Sequence, residues 1–153
     1  MHLGLRADKE GRTAALRVIG GFACNEGFVF SLFYLGENRA FSPGPFAFER
    51  ADLWGTLACM LIAFALLRMA SPRARDALLS RPLVWCYAGL LVLGSLMPAI
   101  AGGGDHGIVL ESLLVGLPAG FMLAAWGRAL GRRPVGDSVP QVFLSAAVAA
   151  GVC

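Results

Sequence analysis

Apolar residues in this chain gather into long unbroken runs separated by short polar segments. The runs extend from Val18 to Gly36 (VIGGFACNEGFVFSLFYLG), Ala51 to Ala70 (ADLWGTLACMLIAFALLRMA), Leu83 to Ala101 (LVWCYAGLLVLGSLMPAIA) and about Ile108 to Leu130. Each is near the roughly 20 apolar residues a helix needs to cross about 30 Å of hydrocarbon. A fifth stretch, Val139 to Cys153, is shorter and reads as a marginal or truncated span. Strings such as FALL, GLLVLG and LLVGLP do not alternate, so barrel strands are not indicated. Helices remain, because lipid offers no partner to an open backbone. The pattern predicts an all-α, polytopic transmembrane helix bundle with four full spans plus that fifth. Residues 1–17 form a basic cytoplasmic N-terminus ahead of a transmembrane domain over 18–153.

Composition supports this solvent assignment. Apolar types make up 57% and charged types 15% of 153 residues, and the mean hydropathy is +0.67. Soluble domains average about 25% charged residues, and a chain this small has too much surface for so oily a mixture. The N-terminal MHLGLRADKEGRTAALR is basic enough to open a signal peptide. The run after it is too long for such a peptide and lacks an A-x-A cleavage site, so it reads as a retained first span. Cys24, Cys59, Cys86 and Cys153 each sit in an apolar segment with no CxxC spacing. They are expected to be small buried packing residues.

The net charge is +3, and its placement argues for a membrane rather than a nucleic acid. Eleven of the 13 basic residues fall on one side of the alternating spans: Arg6, Lys9, Arg12, Arg17, Arg68, Arg73, Arg75, Arg81, Arg128, Arg132 and Arg133. Only Arg39 and Arg50 fall on the other. Lys and Arg concentrate in short cytoplasmic loops. The expected location is therefore the cell membrane, with the N-terminus cytoplasmic, 37–50 and 102–107 outside, and 71–82 and 131–138 inside. Within loop 71–82, SPRARDALLSRP can form one amphipathic turn among the headgroups.

Close helix contact in oil depends on small residues spaced by four. The first span offers Ala23, Gly27 and Ser31, the second Ala51, Gly55, Cys59 and Ala63, and the fourth Ser112, Gly116, Gly120 and Ala124. Gly27, Gly55, Gly116 and Gly120 are the expected packing glycines. Pro98 and Pro118 fall inside spans and are expected to kink them, releasing the carbonyls of Gly94 and Leu114. Trp54, Trp85, Tyr87 and Trp126 near span ends read as an aromatic belt.

Glu26 is the most informative residue. It lies near the middle of the first span with Asn25 beside it. A carboxyl group at that depth pairs, meets water or stays protonated. Two readings of Glu26 stand level: a group lining a cavity, and a neutral acid hydrogen-bonded for packing. Glu111 near the outer end of the fourth span is a further candidate contact, with Asp105 and His106 at the same mouth if it turns inward. The sequence contains no glycine-rich phosphate loop, no HExxH and no GxSxG. No catalytic residue, cofactor or metal site is expected.

At the fourth span, GLPAGFMLAAWGRALG resembles the fourth helix of membrane-bound LuxR-type regulators of actinobacteria. The resemblance extends over the first four spans, the basic N-terminus and the arginine-rich second loop. It implies a transporter-like N-terminal module that in those proteins precedes a helix-turn-helix domain. The resemblance lies in the membrane module alone, so no DNA contact is expected of residues 1–153. The second loop also lacks the Gly-x-x-x-Asp-Arg signature of major facilitator transporters. The expected function is a non-catalytic sensory or ligand-responsive membrane module. The alternatives are a small-solute transporter fragment and a structural membrane partner subunit. Expected partners are membrane lipid, an unidentified small ligand, and another membrane protein or a second copy, with no nucleic acid.

Overall fold

The computed structural model describes Leu16, residues 18–29, Ser31, and residues 49–101, 105–132 and 134–152. Described residues of the first apolar run form α1, Val18–Val29. It is followed by α2 (Ala51–Met69), α3 (Pro72–Leu78), α4 (Arg81–Ala101), α5 (Asp105–Gly131) and α6 (Val135–Val152). No strand occurs among the described residues. Three helices, α2, α4 and α5, are long and apolar enough to cross a membrane. The chain is an all-α, multi-pass membrane protein.

The sequence boundaries hold within a few residues for α2 and α4. The fourth span starts earlier than its apolar run, at Asp105, because a carboxylate in the first turn suits the positive end of the helix dipole. The fifth stretch forms a helix of 18 residues that begins at Val135, with Pro140 one turn inside it. Its apolar core, Ser138–Gly151, is shorter than a full span. Beyond Ser31, the end of the first run lies outside the described residues, as do Gly102–Gly104.

The described helices fall into two compact units. One holds α2, α3, α4 and α5 as far as Ala125; the other holds α1, the end of α5 from Trp126, and α6.

In the first unit, α2 and α5 meet along their small residues. A Cβ added at Gly116 would stand 2.5 Å from the Thr56 carbonyl oxygen and 2.6 Å from Cys59 Cβ. One turn on, a Cβ at Gly120 would stand 2.8 Å from Ala63 Cβ and 3.1 Å from the Met60 carbonyl oxygen. A Cβ at Gly55 would strike the Ser112 hydroxyl. That hydroxyl donates to the Ile108 carbonyl at 2.8 Å and reaches the Asp52 carbonyl of α2 at 3.4 Å. Thr56, Cys59, Met60, Ala63, Ser112, Val115 and Ala119 are all buried along this seam. Backbone thus lies directly on backbone, which only glycine permits.

α4 joins through Gly94, whose added Cβ would stand 2.6 Å from Val115 Cγ2 and 3.2 Å from the Leu114 carbonyl carbon. Pro98 and Pro118 lie within continuous helices. Neither can donate to the carbonyl four residues earlier, on Gly94 and Leu114 respectively. The two residues with released carbonyls therefore pack on each other. Tyr87 stacks on Phe121 with ring centroids 5.2 Å apart, and its hydroxyl donates to the Leu78 carbonyl at 3.1 Å.

The arginine-rich corner between α2 and α4 is more ordered than a single turn. Ser71 caps α3 by accepting from Ala74 N–H at 3.3 Å, and Pro72 follows as the first helical residue. Arg75 donates from Nε to the Leu67 carbonyl at 3.1 Å and from Nη2 to the Ala70 carbonyl at 3.4 Å. A cation thus sits on the open carbonyls and negative dipole end of α2.

The outer faces are apolar. Leu61, Ile62, Met69, Val92, Leu93, Ile100 and Phe143 are exposed, as are Trp54 and Trp85. In a spanning helix this is the surface offered to lipid. Cys24 and Cys86 belong to it, which corrects the expectation that every cysteine is buried; Cys59 alone among the described cysteines packs inside. Exposed sulfur carries no penalty in hydrocarbon, because a thiol is a small, weakly polar group.

Replacing Gly116 or Gly120 with leucine is expected to destabilise the protein by about 1–3 kcal/mol or more, because backbone rather than a movable side chain stands in the way. Gly127→Ala, where the added Cβ meets nothing within 4 Å inside α5, is expected to raise stability by about 0.5–1 kcal/mol. Thermal unfolding in detergent, followed by circular dichroism, measures both.

Candidate functional site

The polar site forms on α1. At about 100° per residue, Gly21, Asn25, Phe22, Glu26, Ala23 and Gly27 sweep an arc of about 240°, and Gly20 and Cys24 occupy the remainder. The exposures follow this wheel. Phe22, Ala23 and Asn25 are buried, Gly21, Glu26 and Gly27 are half-buried, and Gly20 and Cys24 are exposed. Glu26 and Asn25 therefore both project from the covered side of the helix.

Two neighbours within the same unit bound this arc. At one edge, Gly27 lies 3.9 Å, measured from an added Cβ, from the backbone and side chain of Ala149 on α6. Ala149 is almost fully buried, and so is Ser145 one turn before it, whose hydroxyl donates to the Gln141 carbonyl at 2.6 Å. At the other edge, the six-membered ring of Trp126 lies directly over Gly21, where an added Cβ would collide with it. Gly21 is required here because any side chain would expel the indole. Asn25 is one turn beyond Gly21, on the same face.

Four buried side-chain polar atoms among the described residues have no hydrogen-bond partner: both amide atoms of Asn25, the Trp126 indole Nε1, and Asp52 Oδ1. Asp52 belongs to the first turn of α2, in the other unit. The remaining three are gathered on one face of α1. Asn25 is only 2% exposed. Burying an amide without partners costs on the order of 2–7 kcal/mol. Asn25 is thus a buried polar side chain whose hydrogen-bonding capacity is unmet by the described residues.

Other sequence candidates fall elsewhere. Glu111 is half-buried in α5, within the other unit, and already engaged in an interaction. Asp105 and His106 are exposed at the start of α5. Gly55, Gly116 and Gly120 sit at the α2–α5 seam and Gly27 at α6. Pro118 is buried and Pro98 half-buried. Among the described residues, no three His, Cys, Asp or Glu side chains gather as a metal would require.

Tyr87 and Trp126 depart from the aromatic-belt expectation. Tyr87 is buried and stacked on Phe121, and Trp126 is half-buried with its N–H inside, whereas Trp54 and Trp85 are 65% and 79% exposed and suit a belt. The signal that separates Trp126 is local. Gly21 supplies a flat landing one turn from the only asparagine in a described apolar span, although the partnership needs the folded chain to be seen.

A shallow groove of about 250 Å³ also opens between the end of α5 and α6, lined by Leu130, Gly131, Ser138, Val139, Val142 and Phe143. It is mainly apolar and holds none of the polar candidates.

No protein-family model matches the chain, and no curated protein or solved structure matches it either. The chain is a helical membrane module whose described residues include no assembled metal-ligand group.

Asn25→Leu is expected to raise the unfolding midpoint of the isolated protein, with a gain of about 1–3 kcal/mol, because it removes an unpaired amide and keeps the branched heavy-atom skeleton. Differential scanning calorimetry in detergent measures this. A fall in stability of the same size would show that Asn25 is paired in the native state.

Proposed function

We propose that this protein is a non-catalytic, ligand-responsive module of the cell membrane, with its N-terminus in the cytoplasm. The observation that supports the reading is the unpaired, buried amide of Asn25 beside Glu26 on the covered face of α1. Proteins retain such groups where a ligand completes them, since sites are commonly kept at a cost in stability. The ligand acts by supplying hydrogen bonds that α1 lacks. It thereby favours the arrangement in which α1 is packed against Trp126 and α6. A ligand shifts such an equilibrium only by its difference in affinity between the two states, and the unpaired atoms supply that difference.

The distribution of basic residues supports the orientation, since 11 of 13 fall on one side of the expected alternation of spans and such residues concentrate in cytoplasmic loops. The resemblance to the membrane module of LuxR-type regulators agrees with a sensory role. Carriage of a solute is the competing reading, and it rests on Glu26, a carboxyl group half-buried within an apolar helix.

The experiment is a thermal-shift titration of the full chain in detergent. Acetate, ethylammonium, acetamide and ethanol serve as anionic, cationic, amide and hydroxyl probes. At least one is expected to raise the midpoint saturably, with the rise lost in Asn25→Leu or Glu26→Gln. No saturable response from any class would end the ligand-responsive reading. Uptake of a responding probe into proteoliposomes, abolished by Glu26→Gln, would assign a carrier instead. For orientation, a reporter fused after Gly104 is expected outside the cytosol and one after Arg133 inside it.

A further inference from the structure

The groove between the end of α5 and α6 lies apart from the Asn25 face and has a different character. Leu130 is buried at its base, while Val139, Val142 and Phe143 of α6 are exposed along it. Gly131 leaves the α5 wall open, because a Cβ added there meets nothing within 4 Å. The volume of about 250 Å³ is below the roughly 300–1,000 Å³ of a pocket that encloses a drug-sized molecule. The space therefore suits one segment of a longer apolar chain whose remainder lies outside.

The position of the groove gives that chain a direction. Ser138 belongs to the first turn of α6, beside the loop that follows α5. Phe143 is five residues further along the helix, about 7.5 Å at 1.5 Å per residue. The lining thus passes from a hydroxyl residue at the loop end to an aromatic ring within the apolar part of α6.

The loop end is also basic. Arg132 is exposed immediately after Gly131, and Arg128 is half-buried one turn before it. With Arg133, residues 128–143 hold three basic residues against one acid, Asp137, a net charge of +2. Asp137 belongs to the first turn of α6, where the positive end of the helix dipole offsets its charge. Arg128 is already engaged in an interaction, so the exposed Arg132 is the cation placed to meet a headgroup. A guanidinium offers paired donors that match the oxygens of a phosphate. An apolar slot with a cation at its polar end calls for an amphiphile that carries an acyl chain and an anionic phosphate.

We propose that the α5–α6 groove seats an anionic phospholipid, with one acyl chain lying between Gly131 and Phe143 and the headgroup phosphate held by Arg132. This seat is independent of the ligand-responsive reading of Asn25. A basic loop alone attracts anionic lipid diffusely. The groove adds a fixed place for one chain, so binding is stoichiometric.

The test is a thermal-shift titration of the full chain in detergent with dioleoyl phosphatidylglycerol. Dioleoyl phosphatidylcholine, with identical chains and no net charge, is the comparison. Phosphatidylglycerol is expected to raise the midpoint saturably, and phosphatidylcholine to bind roughly ten-fold more weakly. Gly131→Leu, which fills the groove, and Arg132→Gln are each expected to weaken phosphatidylglycerol binding roughly five-fold, the size of one arginine's effect at an anionic surface. Gly89→Leu adds the same side chain at an open position of α4, and Arg73→Gln removes the same charge at the exposed basic corner. Both are expected to leave the affinity unchanged. If circular dichroism shows that Gly131→Leu does not fold, Arg132→Gln against Arg73→Gln decides the question.

Equal losses in Arg73→Gln and Arg132→Gln would reduce the effect to diffuse charge and overturn the seat. Full affinity in a folded Gly131→Leu would overturn it too. Equal binding of the two lipids would overturn the anionic assignment, and saturation by inorganic phosphate over the same concentrations would remove the acyl chain from the site. None of these results touches the Asn25 reading, whose probes and variants are different.

Discussion

Helices in hydrocarbon have no hydrophobic reason to associate, so their contact must come from atoms close enough for dispersion and weak polar attraction. The α2–α5 seam meets this constraint by removing side chains. Gly116 and Gly120 put the α5 backbone against the Thr56 and Met60 carbonyls, and Gly55 leaves room for the Ser112 hydroxyl. The other features of this unit follow from that proximity. Ser112 can reach the Asp52 carbonyl only because the helices are so near. Many of the larger apolar side chains, Leu61, Ile62 and Met69 of α2 among them, face outward to lipid. Gly55, Gly116 and Gly120 are thus a packing device and not a source of looseness.

Much of the architecture was legible from pattern alone. The solvent dictates long apolar helices, and the i to i+4 spacing of small residues named the faces on which Gly55, Gly116 and Gly120 now lie. Boundaries shifted where local chemistry outweighed hydropathy. Asp105 is polar yet belongs to α5 because a helix start favours an acid, and α3 is a capped helix of seven residues because Ser71, Pro72 and Arg75 together satisfy its ends and that of α2. Cys24 and Cys86 were misjudged because a burial rule from water-soluble proteins does not hold when the outside is itself apolar.

The candidate site was half legible. Asn25 and Glu26 stand out in any reading, since polar groups in an oily helix demand explanation. Trp126 did not, because a tryptophan near a span end has an ordinary role at the interface. Only the fold shows its ring on Gly21 and its N–H inside. Sequence spacing relates residues within one helix. It is silent on which residue of a distant helix completes the set.

The contact between Gly94 and Leu114 has a mechanical consequence. A helix bends most readily where a rung of its hydrogen-bond ladder is missing. Proline removes one rung in α4 and one in α5, and the packing of Gly94 on Leu114 sets the two gaps at the same level. α2 contains no proline and has an unbroken ladder. Two soft points that would otherwise act separately therefore share one pivot. Flexure of this unit is concentrated in α4 and α5 together, with α2 as the stiff post beside them.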